Sequence, residues 1–232
     1  MLRAQYKAIE RKVIVRGEGI ERQYQLIPEK HCNKCGKPYA TQDNCYNHRY
    51  DLMDKTLPIG SYYPTRMWRY MKDDLSKDIV EFKSDMDFGP RLGLLMITAI
   101  KKIYPELKKF DAIVPIPRTK EELKEDHNTK KKYDPQLLLA HIVSKYTGIN
   151  VVQALKKVKP YHQYGKSLEE RRQIIANAEE YFELADDCVG RGDDIILIDD
   201  VRTTGSTGSA CAKVLRKAKV GKIYLFVLGI TV

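Results

Sequence analysis

Residues 195–208 read Ile-Ile-Leu-Ile-Asp-Asp-Val-Arg-Thr-Thr-Gly-Ser-Thr-Gly, and that order restricts the possible folds more than any other stretch of the chain. Four successive aliphatic residues suit a strand buried on both faces, which calls for a parallel sheet with helices on each side. Asp199 and Asp200 stand at its C-terminal end, Val201 and Arg202 carry the chain past them, and a Thr/Ser/Gly turn leads into a helix predicted over about Ser206 to Ala218. Open parallel sheets bind ligands at this edge. Gly205 lets the backbone approach an anion, the hydroxyls of Thr203, Thr204, Ser206 and Thr207 donate to its oxygens, and the helix start adds N–H groups at a positive dipole end. The turn is neither a Gly-Lys-Ser/Thr loop nor a G-x-G-x-x-G fingerprint.

Two carboxylates beside an anion cradle repel the ligand unless it also brings hydroxyls, a cation or a carbon that becomes cationic. A ribose 5-phosphate meets that demand: its 2- and 3-hydroxyls donate to Asp199 and Asp200 while the phosphate occupies residues 203–207. Mg²⁺ can bridge sugar and pyrophosphate oxygens.

The rest of the chain agrees with an α/β domain. From residue 111, short apolar runs (Asp111–Ile116, Ile149–Leu155, Tyr181–Leu184, Ile195–Ile198, Lys222–Ile230) alternate with helices predicted at Asp134–Tyr146 and Ser206–Ala218, the pattern of a parallel sheet. Two helices are predicted earlier, at Thr65–Phe82 and Gly89–Leu107. Thr56–Ser61 reads as punctuation, so the division is a module at 1–56 and a main domain at 57–232. No apolar run approaches the ~20 residues of a membrane span, and MLRAQYKAIERK carries charge where a signal peptide is apolar; the expected location is the cytoplasm. The chain has 232 residues and net charge +10, with 10 cationic and 5 acidic side chains in residues 1–50 against 10 and 11 in residues 161–232. A basic first part suits a polyanion, either nucleic acid or a phosphorylated small molecule, as well as an ordinary solvated surface.

Within 1–56, residues 11–29 read as strands around Gly17-Glu18-Gly19. Cys32, Cys35 and Cys45 then cluster, with the C-x-x-C-G form at 32–36 and Cys45-Tyr-Asn-His48 repeating the spacing. Thiolates and an imidazole at such spacing wrap a tetrahedral metal, and Cys₃His is a structural Zn²⁺ set with no open position. His31 is the alternative to His48 as fourth ligand. Cys188 and Cys211 read as buried thiols without chemistry.

The 199–207 string resembles the phosphoribosyl diphosphate (PRPP) signature of type I phosphoribosyltransferases. The chain as a whole resembles the ComF family, phosphoribosyltransferase-like proteins associated with DNA uptake in competent bacteria and also found more widely. The likeness runs through the cysteine module, Val114-Pro-Ile-Pro-Arg118, Gln163-Tyr-Gly-Lys-Ser167 with Glu170-Arg171-Arg172, and the Asp-Asp turn. It implies a type I phosphoribosyltransferase fold with a small β-rich zinc module, PRPP held by residues 199–207, and a phosphoribosyl group passed to a nitrogenous base with release of pyrophosphate. Asp199, Asp200 and Arg118 are then the catalytic candidates. Pro117, Arg118, Thr119 and Lys120 become the pyrophosphate loop; Arg118 and Lys120 also follow a strand ending at the same sheet edge. Gln163, Lys166, Arg171 and Arg172 fall in a mobile hood over PRPP, a basic and aromatic connection that could equally contact nucleic acid.

Tyr62, Tyr63, Trp68 and Tyr70 are candidates to stack an acceptor base. Family members usually carry Arg-Gly-Phe-Asn-Gln before the domain's first helix, where this chain has Lys131-Lys132-Tyr133-Asp134-Pro135 and lacks the Asn-Gln pair. No cysteine near the N-terminus suits a glutamine-dependent amidotransferase. Two functions stay open: an enzyme of nucleotide metabolism, or a single-stranded-nucleic-acid-binding accessory of DNA uptake or recombination whose PRPP site is a sensor or relic. Oligomeric state also stays open, a homo-oligomer being one option.

Overall fold

The structure, a computed structural model, describes all residues except 1, 8–10, 18, 41–44, 46–47, 49–50, 161–167 and 186–188. In chain order the elements are β1 (Arg3–Lys7), β2 (Lys12–Gly17), β3 (Ile20–Gln25), β4 (Lys55–Tyr62), α1 (Asp74–Glu81), α2 (Gly89–Lys102), β5 (Ala112–Pro115), β6 (Lys124–Glu125), β7 (Lys132–Tyr133), α3 (Pro135–Thr147), β8 (Asn150–Val151), β9 (Leu155–Lys157), α4 (Leu168–Ala176), α5 (Ala178–Tyr181), β10 (Phe182–Leu184), β11 (Ile195–Arg202), α6 (Ser206–Leu215) and β12 (Ile223–Thr231). Five strands form the central sheet in the order β4-β12-β11-β5-β8, every neighbouring pair parallel.

β11 shows why the aliphatic run dictates this arrangement. Ile196 and Ile198 enter a core under α1, α2 and α3 with Leu75, Leu92, Leu139 and Phe226. Ile195 and Leu197 face the opposite way, against Ala210, Cys211 and Val214 of α6 and Phe182 of β10. Alternate side chains thus serve two cores. Cys211 is buried in the second; Cys188 lies outside the described residues.

Several predicted elements differ in extent. The helix expected over Thr65–Phe82 is a 3₁₀ turn at Trp68–Lys72 followed by α1. The break falls at Asp73, whose carboxylate accepts from Ser76 N at 2.7 Å and starts a fresh helix. The run Ile149–Leu155 divides into β8, on the central sheet, and β9, which pairs antiparallel with β10. Thr56–Ser61, expected to be punctuation, lies inside β4. An edge strand tolerates Pro58 because only one side of it needs ladder bonds, and a Cβ on Gly60 would come within 2.6 Å of Gln25 O.

The first 56 residues behave as two pieces. Val13, Val15, Tyr24 and Leu26 of the antiparallel sheet β1-β2-β3 are buried in the same core as Leu57, Ile59 and Phe226. The three cysteines form a separate small cluster with Ala40 packed against it.

Candidate functional site

Asp199 and Asp200 stand at the C-terminal end of β11, and the turn after them runs into α6 through Gly205. Gly205 has φ +82 and offers no side chain to cap the helix. Thr204 Oγ1 and Ser206 Oγ lie 2.9 Å apart, and Thr203 Oγ1 lies 3.2 Å from Thr231 Oγ1. A cavity of about 190 Å³ at this edge is lined by Ile116, Pro117, Arg118, Glu122, Gln136, Lys157, Asp199, Asp200, Val201 and Thr207. Pro117, Arg118 and Lys157 also line a neighbouring cavity of about 620 Å³ that takes in Thr119 and Lys120.

The two carboxylates are inequivalent. Burial pushes Asp199 up to about 7, the Asp200 charge adds to the rise, and the hydrogen bond from Gln136 Nε2 at 2.9 Å opposes it. Burial also disfavours the charged form of Asp200. Lys83, with Nζ at 3.9 Å, and Arg118, with Nη2 at 3.9 Å, overcome that penalty and hold its carboxyl below its ordinary range. One site therefore keeps an anion beside a carboxyl that protonates far more readily. Nearby cations are crowded: burial, then Arg118 and Lys83, push the Lys124 ammonium down.

The loop after β5 is fixed from both sides. Arg118 Nε donates to Gln136 Oε1 at 2.6 Å, while Glu122 accepts from Thr119 N at 3.0 Å and from Lys157 Nζ at 2.6 and 2.8 Å. Gln136, one residue beyond the string in which an Asn-Gln pair was sought, thus joins Arg118 to Asp199. Shifting that comparison by one residue reveals it. Lys83, Glu122 and Lys157 carry no such signal, because they reach the site only through the packing of separate elements.

Arg202 sits differently from its neighbours in the string. Its side chain is 1% exposed and turns inward. Nη1 donates to Thr56 Oγ1 at 2.9 Å, and Nη2 meets Asp51 Oδ1 at 3.0 Å and Oδ2 at 2.9 Å. Gln163 and Lys166 lie outside the described residues, and Arg171 and Arg172 belong to α4. Trp68 is 68% exposed, with Arg69 at 5.5 Å and Lys72 at 5.5 Å from its ring and Arg69 at 5.8 Å from the ring of Tyr63.

The second site is the cysteine cluster. One ligand atom from each of Cys32, Cys35, Cys45 and His48 lies within 4.8 Å of the others. Cys35 Sγ and Cys45 Sγ are 3.4 Å apart, and Cys32 Sγ lies 3.3 Å from His48 Nδ1. His31 instead has its Nδ1 2.6 Å from Pro28 O. Ligand atoms at metal bond lengths of roughly 2.0–2.3 Å sit about 3.5–4 Å from one another, so the set fits a tetrahedral ion. Burial pushes the Cys35 thiol above its ordinary range, and a bound cation would reverse that.

A doubly covered parallel sheet thus carries a carboxylate pair and a glycine-led helix start at one strand end, beside a cationic loop at the next. No protein-family model matches the chain. Competence protein F of Haemophilus influenzae is 31% identical over 226 residues, covering 91% of this chain and 88% of the relative. The chain belongs to that competence protein F family. Structures of low similarity include adenine phosphoribosyltransferase from Saccharomyces cerevisiae (19% identity, 62% of this chain and 70% of that one, TM-score 0.38). Another is the glutamine PRPP amidotransferase of B. subtilis (13% identity, 93% and 35%, TM-score 0.38). Among the described residues no helix is long and apolar enough to cross a membrane.

Proposed function

We propose that the chain binds PRPP at the end of β11 and transfers its phosphoribosyl group to a nitrogenous base, releasing pyrophosphate. The observation that carries this reading is the convergence of Asp199, Asp200, Arg118, Lys157 and Thr207 on one cavity. The 5-phosphate sits against the turn 203–207 and the start of α6, and the ribose hydroxyls donate to the Asp199 and Asp200 carboxylates. Val201 and Arg202 contribute through their backbone.

As the bond from ribose C1 to pyrophosphate lengthens, positive charge grows on the sugar and negative charge on the leaving group. The Asp pair faces the first, and Arg118 and Lys120 of the 117–120 loop face the second, so catalysis is electrostatic placement. Lys157 joins them once pyrophosphate competes with Glu122 for its ammonium. Mg²⁺ bound with the pyrophosphate would neutralise part of its charge, and Asp199 and Asp200 are the residues that would hold the ion. Gln163, Lys166, Arg171 and Arg172 belong to the segment that would close over the ligand. Zn²⁺ is the ion that suits Cys32, Cys35, Cys45 and His48, and its role there is structural.

Calorimetric titration with PRPP and Mg²⁺ tests the site. Saturable binding that is lost in Asp199→Asn/Asp200→Asn supports it, whereas equal binding by the double variant overturns it. Pyrophosphate release in a screen of bases then tests transfer.

A second reading is a DNA-uptake accessory that grips single-stranded nucleic acid, the Haemophilus relative being named a competence protein. The exposed Trp68 between Arg69 and Lys72 favours it, because such a group stacks a base and neutralises a phosphate. Binding of an oligonucleotide that weakens steeply with salt and with Trp68→Ala would support this reading.

A further inference from the structure

The side chain of Arg202 is hidden in the interior although its backbone belongs to the phosphate turn. Its guanidinium reaches in two directions. One leads back into the turn, where Nη2 lies 3.4 Å from Thr204 O. The other leads to the segment that carries the cysteine cluster, through both oxygens of Asp51 and through Thr56 Oγ1. The side chains of Arg202 and Asp51 are 1% and 4% exposed, so the pair is sealed from water.

Each end is bonded to its site. Asp51 N donates to His48 O at 3.0 Å, and Thr56 N donates to Lys34 O at 2.8 Å, inside the Cys32–Cys35 loop. At the other end, a Cβ on Gly205 would come within 2.5 Å of Arg202 Nη1. The glycine that lets the turn close is thus also the residue that makes room for the guanidinium. A buried, planar, multiply bonded group of this kind has little freedom to shift at one end without disturbing the other.

We infer that Arg202 and Asp51 are positioning residues that link the phosphate turn to the Cys/His cluster, so that metal binding and phosphoribosyl-ligand binding strengthen each other. An ion would hold Cys32, Cys35, Cys45 and His48 in one arrangement, which fixes Asp51 and Thr56. They hold the guanidinium, and the guanidinium holds the Thr204 carbonyl and the space under Gly205. Thermodynamic linkage requires the effect to be reciprocal and equal in both directions. The inference rests on the phosphate-turn reading above for its ligand, but not for the mechanical link.

Two measurements on the full chain decide it. In the first, zinc affinity is obtained by competition with a chromophoric chelator, with and without saturating ribose 5-phosphate. The expected result in the native chain is about a tenfold tightening, matched by a tenfold weaker ribose 5-phosphate affinity in zinc-stripped protein. Zinc-loaded Arg202→Lys and Asp51→Asn lose the coupling. A zinc affinity that stays within twofold while ribose 5-phosphate demonstrably binds overturns the inference.

The second measurement needs no sugar ligand: amide hydrogen exchange in the zinc-loaded chain. Arg202→Lys and Asp51→Asn should speed exchange both at Thr203–Ser206 and around Asp51, with α3 unchanged as the internal reference. Exchange at Thr203–Ser206 equal to the native chain in both variants sinks the link. If the zinc-loaded native chain binds neither ribose 5-phosphate nor PRPP, the functional reading fails, and exchange alone still decides whether the two sites are joined.

Discussion

The turn after β11 and the cysteine cluster are both short loops rich in polar residues, yet they are held in opposite ways. The turn inherits its geometry from β11, whose aliphatic residues are fixed in two cores and whose ladders run to β5 and β12. Its side chains are placed before any ligand arrives. Around the cluster, among the described residues, Cys32, Cys35 and Cys45 have only Ala40 as a further apolar partner, and the regular pairing there is one bridge between His31 and Pro38. So little apolar burial stabilises the loop weakly. A fold can set the shape of a turn from topology alone, whereas a small loop with three thiols and an imidazole would depend on a bound ion to complete it.

The sharpest way to break this contrast is to remove the ion. Cys32→Ser/Cys35→Ser should abolish metal binding and the order of residues 31–40 while leaving most of the helical signal in circular dichroism. A variant that keeps one metal per chain by atomic absorption would show that the cluster does not depend on these thiols. Next in size, Arg202→Ala leaves Asp51 buried without its cation. Loss of one partner of such a pair costs about 3–5 kcal/mol, which urea unfolding should register. A change below about 1 kcal/mol would show that water or another cation replaces the guanidinium. Asp199→Asn/Asp200→Asn should weaken PRPP binding by at least about a hundredfold, near 3 kcal/mol, with the metal still bound. Loss of the metal as well would mean that the two regions are less distinct than their construction suggests.

What the sequence reveals follows the same division. Residues 195–208 are legible because strand, carboxylates, turn and helix are contiguous, and local chemistry there agrees with the topology. The cysteine spacing is legible for the same reason, and only the choice between His31 and His48 needed three dimensions. Gln136 is legible only one residue beyond the family string, and Lys83, Glu122 and Lys157 are not legible, since each comes from a different element and touches the site only after the sheet edge is assembled. Arg202 is misleading in the sequence: it stands inside the string proposed to bind the ligand, yet its side chain serves the interior. β4 was hidden because Pro58 and Gly60 signal a turn, and only their place on an edge strand makes them compatible with a ladder.

Two smaller effects sharpen the comparison on the side of the turn. Gly205→Ala forces a side chain into a left-handed position at φ +82 and against Arg202 Nη1. Backbone strain alone costs roughly 1–2 kcal/mol, and calorimetric melting should show at least that. A melting temperature equal to that of the native chain would mean that the guanidinium moves aside freely.

The smallest effect is a pH dependence of the unliganded chain. Asp199 takes up its proton more readily folded, at about 7, than at its ordinary value of 3.8. Between these values the folded state binds more protons than the unfolded state, so this group's contribution to stability falls as pH rises from about 4 to about 7 and is level above that. The depressed Asp200 contributes oppositely at lower pH, stability being lost as pH falls through its folded value. From pH 5 to 7.5 the Asp199 effect therefore stands apart, and the urea midpoint of Asp199→Asn should decline less than that of the native chain. Parallel declines would show that Asp199 is already ionised at pH 5. The proposed ribose would then meet two carboxylates of equal charge, and the inequality imposed by the burial of Asp199 and by Lys83 and Arg118 beside Asp200 would have no part in binding it.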